Sequence, residues 1–333
     1  MINLVTGATG LVGMHIVLDL LSKNETVKAT YTKNSSFETI NSLFDFYNKK
    51  ALLKKIQWLE MDIEDISQVY EQLQKVDHVY HCAAIVSFSK KERTKMHNIN
   101  VKGTLNIVNA CLENKIKKLG FVSSVAAIGR KGDGIYSENN SWIENGHNSF
   151  YAISKYKAEN EVWRGIQEGL NAVITNPGII IGPSSWNRSS TSLFKKIYSG
   201  LSYYPSGTNG FVDVRDVSKS IIELTQSNID NQRFIIVAEN ISYKRVFQII
   251  AKNLKVKIPN KLASKKLLKL AYRFEAIRCF FTRKNPQLTN ETAQTSSQKN
   301  EYLNNKLKET LNYKFINIED SIVNTCKYLL KFK

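Results

Sequence analysis

The chain predicts an α/β fold, a doubly wound parallel sheet with a smaller, mostly helical C-terminal lid. Three features carry this expectation. Apolar runs alternate with helical patterns through the first half, a glycine-rich turn follows the first run, and the alternation loosens from about Pro177 into a stretch punctuated by Gly178, Gly182, Pro183, Gly200, Pro205, Gly207 and Gly210. Such alternation is the mark of βαβ units, whose parallel strands are covered on both faces. Ile2–Val5 reads as the first strand, followed by Thr26–Thr32, Ile56–Glu60, Asp77–Cys82, Leu119–Ser123 and Ala172–Thr175. Helical patterns lie over 65–74, 92–113 and 150–168. Residues 1–176 are therefore expected to form a dinucleotide-binding unit to which 211–226 returns, with 177–333 mainly a substrate-binding region and no internal repeat or clear linker. An apolar run that begins at residue 2 leaves no room for a signal peptide ahead of it.

Composition narrows the class. At 333 residues with 42% apolar content, the chain can bury a large core. No run approaches the roughly 20 apolar residues of a membrane span. Cys82, Cys111, Cys279 and Cys326 stand apart from one another, which suits reduced thiols in a cytoplasmic protein, and neither they nor the histidines show metal-ligand spacing. The net charge of +18 raises nucleic acid as a partner, yet no nucleic-acid module is recognisable and a solvated basic surface is preferred. The excess peaks over 252–285, with eleven Lys or Arg against Glu275. Within it, 260–283 reads as an amphipathic helix with Leu267, Leu270, Ala271, Phe274, Ile277 and Phe281 on one face. A lid helix packed on a cavity is favoured for it over an element lying on an anionic membrane surface.

Three motifs carry chemistry. TGATGLVG at 6–13 sets Gly7, Gly10 and Gly13 three apart between a strand and a helix. Glycines allow a sharp turn and close backbone approach, and the helix offers unpaired N–H groups and a positive dipole end, so the segment is built for a phosphate. In Tyr151-Ala-Ile-Ser-Lys155 the phenol and the amine lie one helical turn apart. An ammonium beside a phenol favours phenolate, which makes Tyr151 a credible acid/base for carbonyl–alcohol interconversion. Ser123-Ser124 ends the fifth strand, at the carboxyl edge where open α/β sheets bind ligands.

Taken in order, TGATGLVG, HCAA, FVSSVAAIG, YAISK, NPGIIIGP and FVDVRDV resemble the extended short-chain dehydrogenase/reductase family, of Rossmann type, and within it the dihydroflavonol reductase and 3β-hydroxysteroid dehydrogenase branch. The likeness runs firmly to about residue 226 and more loosely beyond. It implies that Gly7, Thr9, Gly10, Leu11, Val12 and Gly13 cradle a pyrophosphate. It also implies that Asp62 and Ile63 hold adenine, and that Ala83 and Ala84 line the floor on the nicotinamide side. Pro177, Gly178 and Ile179 would touch the carboxamide. Tyr151 would be the proton donor, Lys155 would bind ribose hydroxyls and tune that tyrosine, and Ser124 would orient the carbonyl, being the serine that leads into Val125–Ile128. Homodimers are a family expectation.

The second strand ends Thr30-Tyr31-Thr32-Lys33-Asn34-Ser35-Ser36 without the acid that an NAD ribose prefers, so NADP(H) is favoured over NAD(H), with Lys33 near the 2′-phosphate. Relatives often place an arginine where Thr32 stands. A reductase of a ketone or aldehyde is the leading activity. A sugar-nucleotide epimerase that retains its cofactor and a non-catalytic cofactor-binding scaffold are the alternatives. Val125 follows the serine where dehydratases carry an acid, which argues against dehydration. Val86, Phe88, Trp186, Asn187, Arg188, Tyr203 and Tyr204 are the candidate lining of a small, rather apolar or ring-bearing substrate.

Overall fold

Apolar side chains at consecutive strand positions face opposite ways, and in this protein both directions are buried. The computed structural model describes the chain apart from residues 130, 131, 133, 145–147, 189, 265, 266, 268–292, 294 and 333. Its strands are β1 (Ile2–Thr6), β2 (Thr26–Tyr31), β3 (Gln57–Glu60), β4 (His78–His81), β5 (Lys118–Val122), β6 (Gly134–Tyr136), β7 (Ala172–Pro177), β8 (Ile179–Ile181), β9 (Tyr203–Pro205), β10 (Thr208–Asp213), β11 (Gln232–Ile236), β12 (Glu239–Ser242), β13 (Lys261–Ala263) and β14 (Asn300–Tyr302). Seven form one parallel sheet in the order β3-β2-β1-β4-β5-β7-β11. Leu4, Val79 and Phe121 enter one core, while their neighbours Val5, Tyr80 and Val122 enter the other.

Helices close both faces. α1 (Leu11–Ser22), α2 (Glu38–Phe46) and α8 (Val214–Gln226) cover the side of Val5 and Tyr80. α3 (Ile66–Gln72), α5 (Gly103–Glu113) and α6 (Phe150–Gln167) cover the other. α4 (Arg93–His97) joins α5 through a π-helical turn over Asn98–Lys102, so the pattern at 92–113 is one rod with a bulge. α7 (Thr191–Tyr198), α9 (Tyr243–Asn253) and the C-terminal helix Ile318–Lys331 pack on Phe194, Phe211, Val246 and Ile322 in a separate core beside the sheet. β8, β10 and β12 make a three-stranded sheet there.

Two sequence expectations change. Gln232–Ile236 adds a seventh strand, parallel to β7, which the short, mixed run QRFII does not predict. The expected helix at 260–283 begins instead with the strand β13, paired with β9, because Lys261–Ala263 finds an edge to bond; the rest falls almost wholly outside the described residues. Among the described residues no helix is long and apolar enough to cross a membrane.

Candidate active site

The strand order reverses between β1 and β4, and a crevice opens at their carboxyl ends. The chain after β1 turns at Gly7, whose φ is +63°, and Gly10 N–H donates to Gly7 C=O at 2.9 Å. A Cβ on Gly7 would stand 2.8 Å from the backbone N and Cα of Ala83, and one on Gly13 only 2.3 Å from Gly7 O. The loop is thus pressed against both the β4 exit and its own helix, and only hydrogen side chains fit. That cradle, ending in the open N–H groups of α1, fits a dinucleotide's diphosphate. Gly10 caps α1 in extended conformation with no side-chain bond of its own.

A cavity of about 860 Å³ runs from this loop to the C-terminal region. The structure brings Gly7, Gly10, Leu11, Val12, Gly13, Ala84, Ser124, Tyr151, Lys155, Pro177, Gly178 and Ile179 to its wall, together with Val86, Phe88 and Arg188. Val86 and Phe88 are 57% and 37% exposed, and the Phe88 ring meets that of Tyr151 edge-on at 6.2 Å. Arg188 reaches back across the opening to the Thr9 carbonyl at 3.3 Å.

Other expected residues sit elsewhere. Thr9 bonds Ser35 (3.4 Å) in the turn after β2, where Lys33 is exposed. Asp62 accepts the Glu64 N–H at 3.0 Å beyond β3, and Ile63 is buried against Gly103. Ala83 packs on Gly7 while its neighbours Cys82 and Ala84 face the cavity. Trp186 does not line it: its Nε1 donates to Leu329 C=O and its ring lies against Tyr198 within the C-terminal core. Tyr203 and Tyr204 belong to β9, each with a lysine over its ring, and Asn187 accepts from Lys195. FVDVRDV is consumed by structure, since Asp213 caps α8 and holds Arg215 through two oxygens.

Ser149 caps α6 by accepting the Ala152 N–H, which starts the helix just before Tyr151 and sets Tyr151, Lys155 and Glu159 on one stripe. The Lys155 ammonium is buried. It donates to Val122 C=O at 2.8 Å and lies 4.6 Å over the Phe121 ring. Burial pulls it down to about 8, and the Glu159 carboxylate acts in the opposite sense. The two serines differ. Both border the cavity, but Ser123 Oγ is committed to Glu159, to which it donates at 2.7 Å, whereas Ser124 Oγ accepts from Ala126 N–H at the head of a 3₁₀ turn. Under the crevice His81 is held between Thr6 and Thr104, and burial lowers it to about 3.

Sequence reading missed the opposite wall: Ser184, Ser190, Ser192, Asn209, Tyr243, Thr295 and Ser296. They come from separate segments, so no spacing signals them. It also missed Asn100, buried in the π-helical turn, whose amide bonds both Ile85 backbone groups and Ser154 of α6.

Residues 3–238 match the NAD dependent epimerase/dehydratase family. Among curated relatives, a Synechocystis sp. protein that carries the name of a dihydroflavonol 4-reductase is 32% identical over 253 residues, 73% of this chain and 69% of its own. Tetraketide alpha-pyrone reductase 2 of Arabidopsis thaliana is 29% identical over 64% of this chain and 70% of its own. Among solved structures, UDP-glucose 4-epimerase from Thermotoga maritima superposes with a TM-score of 0.79 at 19% identity, over 100% of this chain and 99% of the other, a likeness of fold. The chain therefore belongs to the NAD-dependent epimerase/dehydratase family, as an NAD(P)-dependent oxidoreductase of the extended short-chain dehydrogenase/reductase type.

Proposed function

We propose that the protein is an NADP(H)-dependent reductase that interconverts a ketone or aldehyde with its alcohol, Tyr151 being the proton donor. The observation that carries this reading is the meeting of Ser124, Tyr151 and Lys155 with the glycine loop on one cavity. When bound, the nicotinamide cofactor supplies or accepts the hydride. The chain's own residues do the rest. Gly7, Gly10 and Gly13 with the α1 N-terminus hold the diphosphate, and Pro177, Gly178 and Ile179, which border the same cavity, are left for the nicotinamide carboxamide. Ser124 presents a hydroxyl to the substrate oxygen, and the Tyr151 hydroxyl delivers the proton to that oxygen as it becomes an alkoxide. Lys155, kept cationic beside the phenol, stabilises the phenolate left behind. Ser123 is bound to Glu159 and so is the less suited of the two serines.

Two further points refine the reading. The turn after β2 carries Lys33 and hydroxyls rather than an acid, and Thr9 is bonded into it, which suits a 2′-phosphate. The exposed Val86 and Phe88 beside Tyr151 suit an apolar or ring-bearing group at the reacting carbon. The hydroxyl-rich far wall suits neutral oxygen functions beyond it. The test follows nicotinamide absorbance with NADPH or NADH and a panel of aromatic and aliphatic ketones and aldehydes, with Tyr151→Phe alongside. The expected result is net NADPH consumption that falls at least about 10²-fold in Tyr151→Phe, with cofactor affinity retained. Cofactor binding without consumption of any panel member would shift the reading to an epimerase, and absence of nucleotide binding would end it.

A further inference from the structure

A carboxylate that is 2% exposed lies behind the proposed chemistry, and no step above uses it. Glu159 stands one helical turn beyond Lys155 on α6. One oxygen accepts from Ser123 Oγ at 2.7 Å and Asn176 Nδ2 at 2.8 Å; the other accepts from Arg233 Nη1 at 3.2 Å and Trp163 Nε1 at 3.4 Å. Asn176 Nδ2 also donates to the Ser124 carbonyl at 3.0 Å. Arg233 in turn grips the carbonyls of Glu138 and Asn140, in the segment that leads towards α6. One acid therefore joins α6 to residues at the ends of β5 and β7 and to the edge strand β11.

We propose that Glu159 is the positioning residue of this site: its charge keeps the buried Lys155 ammonium protonated, and its hydrogen bonds fix the helix bearing Tyr151 against the strand end bearing Ser124. The proposal rests on the reductase reading for its consequence in turnover, but not for its physics. A buried ammonium donating to a carbonyl and lying over a ring face has lost much of its hydration, and a carboxylate nearby offsets that loss. Of the other groups near Lys155, the Tyr151 phenol carries a charge only after it has given up its proton, and Cys82 and His81 supply none. Burial pushes the Cys82 thiol up to about 12, and the His81 ring is neutral above about 3. Bonded to Glu159 are Arg233 from β11 and the neutral Ser123, Asn176 and Trp163, while Lys155 lies one helical turn away on its own helix. With Lys155 already lowered by burial, loss of the acid lowers its midpoint further.

The test is the Lys155 titration in the full-length protein labelled with [ε-¹³C]lysine, the resonance being assigned with Lys155→Arg. In the wild type a midpoint near or above 8 is expected; one below 7 would overturn the proposal without any variant being needed. In Glu159→Gln the midpoint should fall by about one pH unit or more, and Glu159→Asp, which keeps the charge, should restore most of it. In turnover the alkaline limb of the kcat profile should move down by the same amount, with the KM for NADPH within about twofold. A folded Glu159→Gln protein whose Lys155 midpoint is unchanged would refute the proposal, as would a uniform loss of kcat at every pH. If the resonance moves as expected but no carbonyl compound is reduced, the role of Glu159 stands and the reductase reading falls.

Discussion

Adding a single methyl group at Gly13 tests the glycine cradle directly. A Cβ there would lie 2.3 Å from Gly7 O and 2.9 Å from both Gly7 C and Ala8 Cα. Non-bonded heavy atoms rest at about 3.5 Å, so more than about 1 Å must be found between two stretches of backbone. Neither can give easily. Gly7 is held at positive φ, its carbonyl accepts from Gly10, and its other side is pressed on Ala83. Overpacking of this kind costs about 1–3 kcal/mol, which for a chain of this size lowers Tm by about 1–4 °C. The displaced loop also carries the N–H groups meant for a diphosphate, so Gly13→Ala should lose most of the rise in Tm that NADPH gives the wild type. Gly10→Ala is the internal control, because its Cβ meets one atom, Gly7 O, at 3.2 Å; its own fall in Tm should be less than half as large. The assay is thermal unfolding by circular dichroism with and without NADPH. A Gly13→Ala protein with wild-type Tm and a wild-type cofactor shift would refute the cradle geometry.

Two further outcomes follow from the same structure. Lys33→Glu puts an acid in the turn after β2, and the ratio of NADPH to NADH affinity by fluorescence titration should fall about tenfold or more; an unchanged ratio would remove Lys33 from 2′-phosphate recognition. His81 has a folded pKa of about 3 against an ordinary 6.5, so its contribution to stability is full above 6.5 and is lost as pH falls towards 3. Asp19 and Asp216, both raised to about 6 by burial, act with the opposite sign, their contribution being full below 3.8 and lost as pH rises through 6. Replacing His81 with Gln, which can still bond Thr6 and Thr104, should reduce the slope of unfolding free energy between pH 6.5 and 4 by up to about 1.4 kcal/mol per pH unit in urea titrations. An unaltered slope would show that the ring is not buried neutral.

Much of this was legible from residues alone, for physical reasons. The first strand, the glycine turn and α1 are local: an apolar run, three glycines and a helical pattern lie within some twenty residues and need no distant partner. Ser149-Phe150-Tyr151 with Lys155 one turn on is local too. What stayed hidden depends on tertiary neighbours. The strand character of Gln232–Ile236 comes from the open edge of β7, not from its own composition. The π-helical turn at Asn98–Lys102 keeps an almost helical periodicity, so Asn100 gives no sign that its amide clamps Ile85. Trp186 and Phe88 look alike as exposed-loop aromatics, yet one fills a core and the other borders a cavity. Glu159 is visible four residues beyond Lys155, but that spacing reads equally as a surface ion pair; only the packing of β11 buries it.

The alternation of the sheet explains why the polar residues meet where they do. Phe121 and Ile174 face the α5–α6 side, and β5 and β7 run in register with Phe121 opposite Ile174. Two residues further, Ser123 and Asn176 must therefore point to the same side, next to each other. On β11, Phe234 and Ile236 face the opposite core, which turns Arg233 towards α6 as well. Three neighbouring strands thus present a hydroxyl, an amide and a guanidinium to one helix, and the helix answers with Glu159. The period of two also separates the serines. Ser123 continues the strand's inward face and is spent on the carboxylate. Ser124 leaves the sheet into the 3₁₀ turn, where its hydroxyl borders the cavity shared with Tyr151. A one-residue slip of β5 against β7 would turn Ser124 towards Glu159 and take its own hydroxyl away from Tyr151. The register of two buried strands, more than the choice of serine as a residue type, is what leaves the Ser124 hydroxyl on the cavity it shares with Tyr151, as the proposed chemistry requires.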